Sequence, residues 1–155
     1  MSGPSFQLLL LAALLVPAVL FFLTQQNTLK SIHSENRDME PSLVWLQLIP
    51  LFNFYWTFVV VTRIADSISK QKASFEDDSI LGVTSYDAVA SIGKRPTYKI
   101  GMSWCILFIL DVLLSPRLAK IPTLQGLVAL AMTICWIVYW VQLAGEKRKL
   151  KALHV

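Results

Sequence analysis

Three polar residues inside apolar stretches are the strongest candidates for chemistry in this sequence: Asn53, Asp111 and Gln125. Asp111 is the only carboxylate in such a stretch, and an ionisable group placed at membrane depth is costly and is often functional. In an antiparallel helical bundle the three side chains would share one half and form a site for a cation, a proton or a small ligand. The structural alternative is that Asp111 pairs with Arg117 or Lys120 and that Asn53 forms an interhelical hydrogen bond.

The sequence contains none of the short motifs that indicate a common enzyme active site. GxSxG, HExxH, the Walker A loop and GxGxxG are all absent. His33 and His154 have no nucleophile or second metal ligand beside them in the sequence, and Cys105 and Cys135 lie in apolar stretches without a CxxC pair. We therefore predict a protein that is not an enzyme and that uses neither a metal nor a cofactor.

The elements that would position the three candidates are long apolar blocks. The chain has 155 residues, 55% of them hydrophobic, and its mean hydropathy is +0.56. Charged stretches separate the blocks, as a bilayer requires and a soluble core does not. We predict an all-α fold, an integral membrane four-helix bundle in one domain, with spans at about 4–24, 43–63, 99–115 and 121–144.

Two of these spans have an alternative. No Lys or Arg precedes the first block, which is also too long for the apolar part of a signal peptide, so we predict a retained helix rather than a cleaved signal. The third block is short, contains Asp111 and ends where Pro116 should stop a helix. A re-entrant or interfacial helix is the alternative there.

The second block contains Pro50 near its middle, which predicts a kink or a hinge. Beyond Arg63, residues 67–74 are expected to continue this helix as an amphipathic surface segment. The sequence from Ile49 to Asn53 is similar to that from Ile121 to Gln125, but the residues that follow do not keep the same spacing. We interpret the similarity as chance rather than as an internal repeat.

The basic residues predict the orientation of the chain. Four spans would place ten of the 14 Lys and Arg residues on the side of the termini and leave Lys30, Arg37, Arg117 and Lys120 on the other side. The positive-inside rule then places both termini, the loop 64–98 and the basic tail 145–155 in the cytoplasm. The net charge of +4 comes from residues that flank the apolar blocks, so we predict a lipid partner and no nucleic acid.

Aromatic and charged residues near the ends of the blocks are expected to lie at the membrane surface. Tryptophan favours this interface, and charged side chains mark the exit into water. The predicted interface anchors are Trp45, Trp56, Arg63, Asp66, Trp136 and Trp140.

The region from Glu35 to Asn53 reads ENRDMEPSLVWLQLIPLFN, and TRIADSI follows at Thr62–Ile68. It resembles a group of small multi-pass membrane proteins of Bacteroidetes-type bacteria, known as domains of unknown function, with a pattern similar to NR-x-M-x-P-x-x-VWL-x-LIP-x-FN followed by IADS. The region WIVYW with the later AGEK is also similar, so the resemblance covers about half of the chain. It implies a bacterial cytoplasmic-membrane protein and no assigned activity. The stretch from Asp38 to Glu40 is more acidic than the pattern.

Small size, short loops and the lack of catalytic motifs favour a non-catalytic subunit or scaffold of a larger membrane complex. Its partners would be the lipid bilayer and either other membrane protein subunits or further copies of itself. The alternative function is an oligomeric channel or transporter for a cation, a proton or a small solute, with Asn53, Asp111 and Gln125 lining the path.

Overall fold

The computed structural model of the protein describes residues 4–78, 95–118 and 120–152. Within these ranges the chain is helical and contains no strand, so the prediction of an all-α fold is confirmed for this part. The α-helices are α1 (Pro4–Lys30), α2 (Phe52–Asp78), α3 (Tyr98–Leu118) and α4 (Pro122–Ala152), and two 3-10 helices, Ser34–Asn36 and Pro41–Leu48, connect α1 to α2.

Helices α3 and α4 form an antiparallel pair, called here the long hairpin. Among the described residues, these two helices, Tyr98–Arg117 and Pro122–Ala152, are long and apolar enough to cross a membrane, and an 18-residue window within each has a mean hydropathy of 1.6 and 2.0, respectively. About 20 helical residues suffice for a hydrocarbon core about 30 Å thick. The Trp104 and Tyr139 rings stack across the pair, with centroids 6.3 Å apart.

Two predicted stop signals do not end their helices. Pro116 lies inside the last turn of α3, where its ring removes only one backbone hydrogen bond, and the helix runs on to Leu118. The fourth span was predicted to end at residue 144, before Gly145 and the basic tail 145–155, but α4 continues to Ala152. Glu146 and Leu150 are buried against neighbouring elements, and this packing extends the helix beyond the glycine.

The predicted second span at 43–63 is two elements rather than one helix. The 3-10 helix Pro41–Leu48 is followed by a turn at 49–51, and α2 begins at Phe52. Pro50 lacks a backbone N–H and disfavours α geometry in the residue before it; Leu51 adopts a left-handed backbone with φ 65°. The indole Nε1 of Trp56 donates to the carbonyl of Leu43 at 2.8 Å and joins the two arms. Residues 41–57 are called here the short hairpin.

Helix α2 continues well beyond the predicted span, to Asp78. The expected amphipathic continuation over 67–74 is therefore observed, with Ser67, Ile68 and Gln71 buried and Lys70 exposed. The first part of the predicted cytoplasmic loop is consequently helix, while residues 79–94 of that loop and 153–155 of the tail lie outside the described residues.

Helices α1 and α4 run in the same direction. Phe21 contacts Trp136 with ring centroids 5.6 Å apart, and one turn further along both helices Trp140 Nε1 donates to Thr24 Oγ1 at 2.9 Å. Phe21 is 2% exposed and also makes edge contacts with the rings of Trp104 and Tyr139. Such ring pairs add about 0.5–1.5 kcal/mol each beyond the area that they bury.

Helix α2 is antiparallel to α3. Phe54 stacks on Phe108 with centroids 5.6 Å apart, and three turns later on α2 Asp66 meets Arg95, just before α3, at 2.9 Å. Because α3 is also antiparallel to α4, helices α1, α2 and α4 all run the same way. Four consecutive spans would alternate in direction, and α1 and α2 do not.

The two ends of the molecule differ in character. One end, called here the charged end, contains the end of α1, residues 31–40, the second half of α2, the start of α3 and the end of α4. Three ion pairs between elements lie there, namely Asp38–Lys70, Asp66–Arg95 and Lys72–Glu146. The opposite end, called here the hairpin end, is formed by the turn between α3 and α4.

A candidate ligand cavity and a buried amide pair

A cavity of about 270 Å³ lies between α1, the short hairpin, α3 and α4. Its wall is mainly aromatic, because each of the three long helices contributes large rings at the same depth. The rings belong to Phe21, Phe22, Trp104, Phe108 and Trp136. The polar side chains on the wall are Gln47, Asn53, Thr57 and Thr133.

Gln47 is 3% exposed and lies on the 3-10 arm of the short hairpin. Its Nε2 donates to Gln25 Oε1 at 2.7 Å and to the Val44 carbonyl at 3.1 Å. These two acceptors fix the orientation of the amide, so Oε1 points away from both. That oxygen is buried and receives no hydrogen bond from the described residues. A buried acceptor without a donor costs about 1–3 kcal/mol.

The other polar groups of the wall are largely satisfied within their own helices. Thr57 Oγ1 lies 2.6 Å from Asn53 Oδ1 and 2.8 Å from the Asn53 carbonyl, and Thr133 Oγ1 donates to the Ala129 carbonyl at 2.8 Å. Asn53 Nδ2 donates to none of the described residues. Among the described polar groups of the wall, Gln47 Oε1 and Asn53 Nδ2 therefore make no hydrogen bond, and the Gln47 oxygen is sealed from water-sized groups.

Behind Gln47 the polar groups continue into the core. Gln25 is fully buried on α1, and its Oε1 accepts from Gln47. The buried Tyr139 hydroxyl on α4 lies beside Gln25. Sequence reasoning did not identify this amide pair, because Gln25 follows the predicted first span at 4–24 and Gln47 lies near the start of the predicted second span at 43–63.

The polar residues of the quoted sequence pattern have a structural role at the charged end. Gln71 Oε1 accepts from the His33 backbone N–H at 2.7 Å and from Asn36 Nδ2 at 3.3 Å. The Asp38 backbone N–H donates to Ser67 Oγ at 2.9 Å. These bonds fix residues 33–38 onto the second half of α2, so the chain is already at the charged end when it enters the short hairpin.

Glu146 joins the end of α4 to α2. Its carboxylate lies 2.5 Å from Lys72 Nζ and 3.0 Å from Lys149 Nζ. Burial alone would raise the pKa of Glu146, but the hydrogen bonds and charges of the two lysines outweigh it and hold that pKa below its ordinary value.

Of the three predicted site residues, one lines the cavity. Asn53 lines the cavity, but Asp111 and Gln125 do not belong to its wall. Asp111 makes no hydrogen bond or ion pair with a described residue, so the alternative pairing with Arg117 or Lys120 is not observed either. The half-buried Asp111 and Gln125 sit on α3 and α4, and no described contact connects them to Asn53.

The predicted interface anchors occupy several environments. The Trp45 indole N–H donates a hydrogen bond to Gln26 Oε1 at 3.4 Å. The Trp56 indole N–H donates to the Leu43 carbonyl and joins the two arms of the short hairpin, and the Trp140 indole N–H donates to Thr24 Oγ1. Asp66 is paired with Arg95, while Arg63 is exposed and Trp136 lines the cavity. Most of these side chains therefore hold elements together in addition to any contact with an interface.

Among the described residues no group of three His, Cys, Asp or Glu side chains is arranged to hold a metal ion. No protein-family model matches the sequence, and no curated protein or solved structure is significantly similar to it. The proposals below consequently rest on the geometry of this chain.

Proposed function

We propose that the protein is embedded in the bacterial cytoplasmic membrane through α1, α3 and α4, with the short hairpin as a re-entrant segment. The charge distribution supports this arrangement. Of the 14 Lys and Arg residues, all but Lys94 are described. Arg117 and Lys120 lie at the hairpin end, ten lie at the charged end, and Arg63 lies one turn before Asp66 near the middle of α2. Four alternating spans would have placed ten basic residues on one side of the membrane and four on the other. The helix directions of the structure give a more unequal distribution of basic residues between the two ends, as the positive-inside rule favours.

The depth of the short hairpin supports its re-entrant character. Phe54 stacks on Phe108, which is the eleventh residue of the 21-residue α3. The tip at 49–51 therefore reaches about half the depth of α3, given a rise of about 1.5 Å per residue. Both arms return to the charged end, through Pro41 on one side and α2 on the other.

This topology places the charged end in the cytoplasm and the start of α1 on the opposite face, whereas four spans would place both termini in the cytoplasm. Two exposed residues separate the alternatives, Ser34 before the short hairpin and Lys120 at the hairpin end. We expect a membrane-impermeant thiol reagent to label Lys120→Cys in spheroplasts, and Ser34→Cys only after the membrane is opened. Cys105 and Cys135 are replaced by Ser beforehand. Labelling of both positions in intact spheroplasts would support four spans instead.

Within the membrane the proposed role is that of a non-catalytic subunit of a larger assembly. The observation that carries this proposal is the tip of the short hairpin. Leu51 is 83% exposed, and its neighbours Leu48, Ile49 and Tyr55 are exposed as well. Non-helical backbone at membrane depth is tolerated where protein covers it or where it lines a water-filled cavity, and an apolar tip does not suit water. A partner protein that packs on the tip satisfies this requirement.

A photo-crosslinking amino acid at position 51 tests the subunit role in native membranes. Leu113 on α3 is the matched control, because it is 65% exposed and lies in regular helix. We expect one protein adduct of fixed mass from position 51 and none from position 113. An adduct of twice the 17.5 kDa chain mass would indicate a homo-oligomer; that result, or no adduct at all, would overturn the hetero-subunit proposal.

The channel or transporter alternative has less support. It required Asn53, Asp111 and Gln125 to act together, and the cavity contains only the first of them. We therefore retain the subunit role as the function that the geometry supports best.

A further inference from the structure

We propose that a second cavity, between the end of α1 and the end of α4, binds a phosphate group, the chemistry shared by anionic lipid headgroups and free phosphate esters. One amide, one hydroxyl and three lysine side chains line this cavity, called here the basic cavity; they belong to Asn27, Lys30, Ser31, Lys147 and Lys151. The site lies within one chain and does not depend on the subunit role. Its assignment to a lipid rests on the proposed embedding of α1 and α4 in the membrane.

Two parallel helices bring these side chains together. Trp140 Nε1 donates to Thr24 Oγ1 and thereby sets the register of α4 against α1. Ser31 and Lys147 each lie seven residues further along the chain, which is about two helical turns. They are therefore at the same level of the molecule, and the other three residues of the basic cavity lie within about one turn of it.

The lysines of the basic cavity have no carboxylate partner among the described residues. Four other cations at the charged end do have one, namely Lys70, Lys72, Arg95 and Lys149. Lys147 is half-buried and lies four residues before Lys151, so the two like charges are neighbours on one face of α4 and repel each other. A bound anion would offset this repulsion.

The lysines are not needed to complete the end of α1. The last carbonyls of a helix lack partners within it, and lysine side chains often bind them. Here the Ser31 backbone N–H donates to the carbonyls of Asn27 and Thr28, at 3.2 and 3.1 Å. The Ile32 backbone N–H donates to the Leu29 carbonyl at 3.1 Å. The backbone therefore satisfies these carbonyls, and the ammonium groups remain for a ligand.

The size and the donors of the basic cavity suit a phosphate group. Its volume is about 280 Å³, whereas about 150 Å³ is enough to hold benzene, which is bulkier than phosphate. Lysine carries three donors on a flexible stem and binds phosphate as a point charge. Three ammonium groups around one cavity can therefore converge on a single anion. The Asn27 amide, which makes no hydrogen bond with a described residue, can donate to a further phosphate oxygen.

The depth of the basic cavity suits a lipid headgroup. Helix α1 has 27 residues and ends at Lys30, and Lys147 is the twenty-sixth residue of α4. At a rise of about 1.5 Å per residue, both lie about 40 Å from the start of their helix. A bilayer is about 40–45 Å thick with its headgroups. In the proposed orientation the cavity therefore lies among the cytoplasmic headgroups, where basic pockets between helices bind anionic lipids.

Lipid binding to the purified full chain in a neutral detergent, followed by native mass spectrometry, tests the proposal. The probes are phosphatidic acid and phosphatidylcholine with the same dioleoyl chains, at equal mole fractions in the micelle. The first exposes a phosphate monoester, whereas choline covers and neutralises the phosphate of the second. We expect one phosphatidic acid per chain to bind at least fivefold more tightly than phosphatidylcholine. Equal affinities would overturn the proposed phosphate recognition.

Two double variants with the same net charge locate the site. Lys147→Gln with Lys151→Gln should weaken phosphatidic acid binding at least fivefold and leave phosphatidylcholine binding unchanged. Lys99→Gln with Arg148→Gln removes two exposed charges from the same end but outside the cavity, and should stay within about twofold of wild type. Lys30→Gln with Lys151→Gln changes only exposed side chains and decides the matter if the first variant does not fold. Equal losses in cavity and control variants would indicate general charge attraction, and the site would be rejected.

Glycerol 3-phosphate distinguishes a lipid from a free ester, because it has the phosphate monoester of phosphatidic acid without the acyl chains. If the natural ligand is a lipid, an excess of about tenfold should leave bound phosphatidic acid in place. If it is a free ester, the same excess should displace most of the lipid. Either result supports the phosphate class and selects its source. These measurements need no membrane orientation and no partner protein, so their failure would leave the topology and the subunit role untouched.

Discussion

The short hairpin and the long hairpin turn at the same sequence, Ile-Pro, and differ in where the turn lies. In both, the isoleucine carbonyl accepts the first helical hydrogen bond, from the Asn53 N–H to Ile49 at 2.9 Å and from the Gln125 N–H to Ile121 at 3.1 Å. Proline without an N–H is well suited to the start of a helix. The preceding arm differs, since an eight-residue 3-10 helix leads to the first turn and the 21-residue α3 leads to the second. Equal local chemistry therefore produces one turn at mid-depth and one at the hairpin end.

The two hairpins are also held differently. The short hairpin depends on side-chain hydrogen bonds, from Trp56 to the Leu43 carbonyl and from Gln47 to Gln25. The long hairpin depends more on ring stacking and on the close approach of α3 to its neighbours. In a membrane, helices gain little from the hydrophobic effect against lipid, so close packing and polar contacts decide their association. The following predictions test that difference, and the largest effect is expected where the long hairpin packs against α2.

Gly101 lies where α3 packs against both α2 and α4. A Cβ at this position would lie 2.7 Å from Val61 Cγ1 and 2.8 Å from Tyr139 Cε2. We expect Gly101→Ala to lower the free energy of unfolding by about 1–3 kcal/mol through overpacking. Thermal unfolding in detergent, followed by circular dichroism, measures the change. Gly126→Ala on α4 is the control, because its Cβ would meet no atom within 4 Å; it should stabilise the helix by up to about 1 kcal/mol. Equal effects would show that α3 is not closely packed.

Substitution of Leu51 at the tip of the short hairpin should stabilise the chain, whereas substitution of Gly101 should destabilise it. Its left-handed backbone is unfavourable for leucine by about 1–2 kcal/mol and nearly free for glycine. We expect Leu51→Gly to raise the melting temperature of the isolated chain while it reduces co-purification of the proposed partner. Leu127→Gly in the helical part of α4, where leucine is 63% exposed, should instead destabilise by about 1 kcal/mol. A loss of stability at position 51 would contradict the described turn.

The bond from Trp140 to Thr24 attaches the long hairpin to α1, as Trp56 closes the short hairpin. A double-mutant cycle of Trp140→Phe and Thr24→Val should give a coupling energy of about 1 kcal/mol, the usual net value of one hydrogen bond. The cycle of Trp56→Phe and Thr24→Val is the control, and we expect it to be additive because no bond joins these residues. Urea or detergent unfolding of the four variants provides the free energies. A coupling energy near zero in the first cycle would show that the Trp140–Thr24 hydrogen bond does not stabilise the fold.

Hydropathy and proline positions were sufficient to predict the helical class and the position of the long hairpin. Pro50 was recognised as a kink or a hinge, but sequence alone does not say whether an internal proline kinks a helix or ends it. That choice depends on tertiary contacts, here the bonds from residues 33–38 to Gln71 and Ser67. These contacts return the chain to the charged end and reverse the expected direction of α2.

The candidate site was less predictable than the fold. Asn53 was identified because it is polar in an apolar block, and it does line the cavity. Asp111 is also polar in an apolar block, but it does not line the cavity. Polarity within a block does not indicate which face of a helix a residue occupies. Gln47 lies at a block end by sequence, so its burial follows only from the turn at 49–51 that folds it back against Gln25.

Glu146 connects the end of the long hairpin to α2 at the charged end, and its contribution to stability should depend on pH. Because its folded-state pKa is depressed, the contribution is complete above the unfolded pKa of about 4.3 and is lost as the pH falls through the folded value. Lys72 and Lys149 are partly exposed, so solvent screening limits the effect to below about 1 kcal/mol. Melting temperatures of wild type and Glu146→Gln measured from pH 7 to pH 3 should differ at neutral pH and converge in acid. A constant difference would mean that Glu146 stabilises the charged end by packing alone.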